Sequence, residues 1–502
     1  MSTTLSRAAS GVPGLDEVLH GGFIQDRLYL VNGEPGAGKT TLALQYLLQG
    51  VLEGEAALYV TLSETADELR ATAASHGWSL DGIDIVEMID DDRGVLGGSD
   101  LTMYHPSEIE LHEMTRRILD AAERFNPRRM VLDSLSELNL MAQSQLRYRR
   151  EILALKQFLA GHRCTSLFLD DRTTHSIDTN GHSVAHGVIA LERNLPIYGP
   201  VLRQLQVTKF RGSDFISGLQ DCVVKRGGFE VFPRLKPNQH GAVFSRDVVP
   251  SGVLALDELL GGGTARGTGT LLIGPAGSGK STIAAQYAVA ATQRGAHAVI
   301  FAFEEAKALL LDRLRALGLV IDEGVGPGKL MVHQIDPVDV LPSQFVNMVR
   351  SAVEEHAATV VVIDSLNGFV NAMPEKRQLM IQLHELLSYL NNHGVATFIV
   401  AAQAGTIGVG LHSVVDASYL ADAVVLFRIY EHAGVMRKAV SVVKKRSGPH
   451  EHTIRDLWFD AHGVHLGPPL KHLRGVMTGS PVEIEPPANA VSPSDDEPRR
   501  HA

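Results

Sequence analysis

A glycine-rich loop of the form Gly-x-x-x-x-Gly-Lys-[Ser/Thr] occurs twice, as Gly33-Glu34-Pro35-Gly36-Ala37-Gly38-Lys39-Thr40 and as Gly274-Pro275-Ala276-Gly277-Ser278-Gly279-Lys280-Ser281. Each copy follows an apolar run that predicts a strand, Leu28-Tyr29-Leu30-Val31 and Thr270-Leu271-Leu272-Ile273. Each precedes a helical pattern, from Leu42 to Leu48 and from Ile283 to Ala291. Strand, loop and helix in that order form the context in which such a loop holds phosphate. The glycines let the backbone wrap around an anion, so that several N–H groups and the positive end of the following helix point at it. Lys39 and Lys280 add a cation for the β- and γ-phosphates, and Thr40 and Ser281 a hydroxyl ligand for Mg2+. The expected ligand is a nucleoside triphosphate, ATP with Mg2+. Its expected contacts are Gly33, Gly36, Ala37, Gly38, Lys39, Thr40 and Thr41 in one loop, and Gly274, Gly277, Ser278, Gly279, Lys280, Ser281 and Thr282 in the other.

The loops belong to a longer repeat. One constant separation, 241 residues, relates Lys39 to Lys280, Gly11 to Gly252, Asp16 to Asp257, Glu64 to Glu305 and Gly77 to Gly318. An offset held over that stretch means two copies of one domain. A segment rich in proline and polar residues, Phe232 to Gly241, predicts the linker. The expected division is residues 1–240, residues 241–479 and, from about Ser480 to residue 502, a proline-rich tail without stable structure.

Of the 502 residues 44% are hydrophobic and 21% charged, so each half can bury a full core. A net charge of −11 disfavours a nonspecific nucleic-acid binder, which needs clustered Lys and Arg. Cys164 and Cys222 are too few and too far apart in sequence for a disulfide framework. The first ten residues lack the apolar core of a signal peptide, and no run approaches membrane-spanning length, so a cytoplasmic protein without membrane attachment is expected. His175, His182 and His186 cluster without a cysteine and without a repeat in the second half, and read as loop and helix residues rather than zinc ligands.

Each half also carries the acids of an ATPase site. The runs Arg129-Met130-Val131-Leu132-Asp133-Ser134 and Val360-Val361-Val362-Ile363-Asp364-Ser365 predict buried strands that end in aspartate. In an open α/β sheet the carboxyl ends of strands line the ligand crevice, so Asp133 and Asp364 join Thr40 and Ser281 as expected Mg2+ ligands. Between loop and aspartate, a further strand ends in Ser63-Glu64 in one half and in Glu304-Glu305 in the other. A carboxylate there can orient and deprotonate an attacking oxygen, which makes Glu64, Glu304 and Glu305 the candidate catalytic residues. Paired acids raise each other's pKa, so the two sites are not expected to be equivalent.

Together with Ala73-Ala74-Ser75-His76-Gly77-Trp78 and two late basic signatures, Lys209-Phe210-Arg211-Gly212 and Lys444-Lys445-Arg446-Ser447-Gly448, these motifs resemble the KaiC family over roughly residues 5 to 479. The resemblance implies an α/β chain of two tandem RecA-like P-loop NTPase domains, each a mostly parallel twisted sheet flanked by helices. It implies a homo-hexameric double ring with ATP at subunit interfaces. Carried over by position, Lys209, Phe210, Arg211, Lys438, Lys444 and Arg446 would contact the ATP held by the neighbouring subunit, and Ser75 a nucleotide in the first domain. Charge supplied in this way completes a site only on assembly. The family's second domain phosphorylates itself on an adjacent Ser-Thr pair, which falls here at Ser418-Tyr419. Ser418 keeps the acceptor hydroxyl, while Tyr419 departs from the pattern. The first domain usually has two glutamates where this chain has Ser63-Glu64. The implied function is a ring ATPase with serine autokinase activity, a signalling or timing protein read by regulatory partners. The competing class is a RecA-like DNA-dependent ATPase of recombination or repair, in which single-stranded DNA would stimulate hydrolysis.

Overall fold

The computed structural model describes residues 5–88, 106–142, 144–171, 179–195, 201–235, 244–371, 376–403 and 419–484. The chain divides into two compact units, Met1–Arg234 and Leu235–Ala502.

In the first unit nine strands form one sheet: β1 (Leu28–Gly33), β2 (Ala57–Thr61), β3 (Ile83–Glu87), β4 (Arg129–Asp133), β5 (Thr165–Asp171), β6 (Gly187–Asn194), β7 (Leu202–Phe210), β8 (Leu219–Lys225) and β9 (Gly228–Phe232). Their spatial order is β3-β2-β4-β5-β1-β6-β7-β8-β9. Pairing is parallel from β3 to β6 and antiparallel from β6 to β9.

The second unit has β10 (Gly269–Gly274), β11 (His297–Ala302), β12 (Leu330–Gln334), β13 (Ala358–Asp364), β14 (Ala396–Ala402), β15 (Ala423–His432), β16 (Val435–Lys445), β17 (Arg455–Asp460) and β18 (Gly463–Pro469). The order β12-β11-β13-β14-β10-β15-β16-β17-β18 and the change from parallel to antiparallel match the first sheet strand for strand. The repeat in the sequence is therefore a repeat of topology.

Parallel strands covered on both faces need apolar residues on both, which explains their continuous apolar runs. In β1, Leu28 and Leu30 enter one core while Tyr29 and Val31 enter the other. In β13, Val360 and Val362 face one core, and Val361 and Ile363 the opposite one. Register then brings the strand ends level. Gly33 lies opposite Asp171, Leu169 opposite Asp133, and Asp133 opposite Thr61. In the second sheet Gly274 lies opposite Ala402, Val400 opposite Asp364, and Asp364 opposite Ala302.

One core feature is specific to the first unit. Arg129, which opens β4, is fully buried, ion-paired to Glu53 and Glu55, and donates to the carbonyls of Ala9 at 2.6 Å and Tyr46 at 3.0 Å. The start of the expected tail is ordered instead. Val482–Glu483 pairs antiparallel with Leu473–Arg474, and Ile484 N–H donates to His472 O at 2.9 Å; residues 485–502 lie outside the described residues. The expected linker is likewise anchored at its start: Phe232 ends β9, and Leu235 packs in the second unit's core. No described helix is long and apolar enough to cross a membrane.

Candidate nucleotide sites

Both loops leave the carboxyl end of a central strand and run into a helix, Lys39–Leu52 in one unit and Lys280–Gln293 in the other. Gly38 and Gly279 precede these helices at φ 107° and 101°. A Cβ at Gly38 would lie 2.8 Å from the Phe229 ring, and one at Gly279 2.4 Å from the Phe459 ring. Left-handed backbone and close approach of an aromatic ring both require glycine there. Gly36 and Gly277 take φ 75° at the turn, Ala37 is buried, and Ser278 is buried with its hydroxyl donating to Pro275 O at 2.8 Å.

The two lysines are held differently. Lys39 Nζ donates to Gly33 O at 2.9 Å and Glu34 O at 3.1 Å, and pairs with Asp171 Oδ1 at 2.6 Å. Lys280 Nζ donates to Pro275 O at 2.7 Å, and its pKa is lowered by burial, against the opposing pull of Asp364 and Glu304. Ala402 occupies the strand position that Asp171 holds in the first unit.

Beside each loop lies the expected aspartate. Asp133 Oδ2 accepts from Thr40 Oγ1 at 3.4 Å and from the Tyr59 hydroxyl at 2.6 Å. Burial raises its pKa, against the hydrogen bond from Tyr59. Asp364 is raised by burial in the same way, and the Ser281 hydroxyl bonds it. A hydroxyl and a carboxylate oxygen at each loop make a hard-oxygen set suited to Mg2+ shared with phosphate. Thr41 Oγ1 lies 3.4 Å from His76 Nε2, and the His76 ring packs at a tilt against Trp78, with centroids 4.9 Å apart. Ser75, one residue earlier, is exposed and donates to Thr72 O.

The glutamates diverge. In the second unit Arg313 forms a two-pronged ion pair with Glu305, at 3.1 and 2.7 Å, and a further bond to Thr282 Oγ1 at 2.8 Å. Glu304 is exposed and accepts from Ser365 Oγ at 2.5 Å, next to Asp364. The ion pair occupies both oxygens of Glu305 and leaves Glu304 oriented toward the crevice. In the first unit the residue 241 positions before Arg313 is Thr72, so Glu64 has no such cation. Its Oε2 is buried without a hydrogen-bond partner, and burial, then the Asp133 charge, raise its pKa.

A family model for the KaiC ATPase matches residues 8–236 and again residues 249–471, once in each half. The chain belongs to the KaiC family. Among its relatives are the circadian clock oscillator protein KaiC of Synechococcus elongatus, 26% identical over 96% of this chain and 92% of that one, and that of Acaryochloris marina, 25% identical over the same shares. The circadian clock protein KaiC3 of Synechocystis is 25% identical over 95% of both chains.

Within this KaiC-family chain the basic residues fall into two groups at opposite ends of β7 and β16. Phe210 lies opposite Gly187, which in turn lies opposite Tyr29, so Lys209 and Arg211 sit near the start of β1. Lys444 lies opposite Val424, and Val424 opposite Leu271 near the start of β10. The loops leave the other ends of β1 and β10, so these residues are remote from their own nucleotide loops. They cap local carbonyls instead. Lys209 Nζ donates to His182 O at 2.6 Å, Lys444 Nζ to Ala421 O at 2.8 Å and Arg446 Nη2 to Tyr419 O at 3.3 Å. The Phe210 ring is buried against Tyr29.

Lys438 is not with this group. It lies six residues before Lys444, about 20 Å away along the strand, and its Nζ sits 5.0 Å from the centre of the Phe459 ring that packs on Gly279. That places it beside its own unit's loop, at the opposite strand end from Lys444. The sequence reading missed its counterpart. Arg203, at the same end of β7, donates through Nε to Gly36 O at 3.4 Å, and Arg193 Nη1 donates to Pro35 O at 3.3 Å. Arg203 lies six residues before Lys209, as Lys438 does before Lys444, and that shared spacing is the signal that could have found it.

Of the expected histidine cluster, His182 Nε2 accepts from Asn32 Nδ2 at 2.8 Å and His186 Nδ1 from Leu28 N–H at 3.2 Å. Burial, then Lys156, push the His186 pKa down to about 4. His175 and Ser418 lie outside the described residues.

Proposed function

We propose that this chain hydrolyses ATP with Mg2+ at both sites, assembles through its late basic residues into a homo-hexameric double ring, and in its second unit transfers phosphate to Ser418. Thr40 and Asp133, and Ser281 and Asp364, would hold Mg2+, which supplies charge neutralisation at the β- and γ-phosphates. The observation that carries the ring is the position of Lys209, Arg211, Lys444 and Arg446 at the strand ends remote from their own loops. Cations remote from the nucleotide of their own unit can complete a neighbour's by exchanging their local carbonyl partners for phosphate.

The transfer reading rests on Glu304 and on the edge where Arg446 meets Tyr419 O, the residue next to Ser418. In that step the Ser418 hydroxyl oxygen bonds to the γ-phosphorus, the bond to the bridging oxygen of ADP breaks, and the hydroxyl proton passes to Glu304. About two negative charges added at such an edge would reshape the contact and report the enzyme's state to a partner. The names of the clock relatives support a timing or signalling role.

Incubation with γ-labelled ATP, followed by separation of free phosphate from label on protein, tests the reading. Label on Ser418 is expected, lost in Glu304→Gln and Ser418→Ala, together with a mass that rises to a hexamer with ATP. Label found only as free phosphate reduces the protein to an ATPase. A monomer with and without ATP rules out the ring.

A further inference from the structure

We propose that Asp171 is a positioning residue that holds Lys39 against nucleotide, so that the two sites of one chain fill at different ATP concentrations. This rests on the nucleotide reading of the loops. An ammonium group has three N–H donors and no acceptor. In the first unit all three have partners: Gly33 O, Glu34 O and, at 2.6 Å, the Asp171 carboxylate. The Lys39 side chain is only 8% exposed. It therefore has little solvent to offset a lost partner, and a phosphate oxygen can bond it only by displacing one of the three. The tightest partner is the one that carries the same charge as phosphate.

The carboxylate is fixed from behind as well. Asp171 ends β5 directly opposite Gly33, its N–H donates to Ser136 Oγ at 2.9 Å, and that hydroxyl donates to Asp170 Oδ1 at 2.9 Å. The strand end is thus tied to the helix Leu135–Met141, with Asp171 facing the loop. The second unit repeats the strand and the register but not the acid. Ala402 stands opposite Gly274, and among the described residues Lys280 has no carboxylate within ion-pairing distance. A competitor for phosphate is built into one site and absent from its copy. The second site consequently fills first, and the first responds over a higher range of ATP.

The test uses the full chain with one site silenced: Lys280→Ala reports the first site, Lys39→Ala the second. Binding of fluorescent ADP with Mg2+ is measured for each. Asp171→Asn in the Lys280→Ala protein is expected to tighten ADP binding about tenfold, since a charge-assisted partner of the lysine is removed. Asp171→Glu should return the affinity toward that of the parent, which a purely structural role for the side chain would not predict. Affinity that is unchanged or weaker in Asp171→Asn overturns the proposal. Should that protein not fold, Ala402→Asp in the Lys39→Ala background decides: weaker binding at the second site supports the device, and unchanged binding overturns it. Complete absence of binding in the Lys280→Ala parent would instead be a failure of the nucleotide reading itself.

Discussion

The two nucleotide sites share a backbone and differ in how their charges are wired. In the first, the loop lysine has a carboxylate partner while Glu64 has no cation. In the second the arrangement is reversed: Lys280 bonds a carbonyl, and Arg313 grips Glu305 with both ends of its fork. The parts that stay constant are those fixed by backbone geometry, the positive φ of Gly38 and Gly279 and the level strand ends. The parts that vary are side chains one shell outward, Asp171 for Ala402, Thr72 for Arg313 and Ser63 for Glu304. A duplicated cradle can thus keep its ligand while the protonation and orientation of its acids drift apart.

The comparison is broken most sharply at the glutamates. Glu304→Gln in the Lys39→Ala protein should slow second-site turnover by about 10²–10⁴-fold, the usual worth of a positioned base. Glu305→Gln should cost much less, since its carboxylate is engaged with Arg313. Equal losses in steady-state phosphate release would show that the ion pair does not separate the roles of the two acids.

A smaller effect separates the units in stability. Arg129→Ala empties a fully buried position and leaves the Ala9 and Tyr46 carbonyls without their donor, which should destabilise the first unit by about 1–3 kcal/mol. Denaturant unfolding followed separately for the two units should show the second unchanged. A shift in both, or in neither, would contradict the assignment of this buried cluster to the first core.

The smallest expected effect is on pH dependence. A base must be ionised to act, and burial together with Asp133 raises the Glu64 pKa above its ordinary 4.5. A raised carboxyl stays protonated to higher pH, so first-site hydrolysis in the Lys280→Ala protein should be lost as pH falls toward a value above 4.5. The same shift makes ionised Glu64 a burden on folding as pH rises through that window, which Glu64→Gln should relieve at neutral pH and not in acid. Thr72→Arg, which restores the second site's cation, should move the acid limb down. A limb unmoved by Thr72→Arg would separate Glu64 from the observed titration.

The loops, the tandem copies and the strand-end acids were legible in the sequence because each rests on local rules: left-handed glycines, apolar runs, a motif with fixed spacing. Position along a strand was legible only in part. Lys438 and Lys444 look equivalent as basic residues on one strand, yet six residues of extended chain put them at opposite ends of the sheet. What the sequence could not determine is which charges meet. Lys39 with Asp171 and Arg129 with Glu53 and Glu55 join residues far apart along the chain, and the packing of helix ends against strand ends brings them within bonding distance, while Glu305 meets Arg313 in the helix that follows it. The sequence by itself determined the cradle and its duplication. The tertiary structure decided the electrostatics of each copy, because an ion pair depends on distance in space and not on separation along the chain.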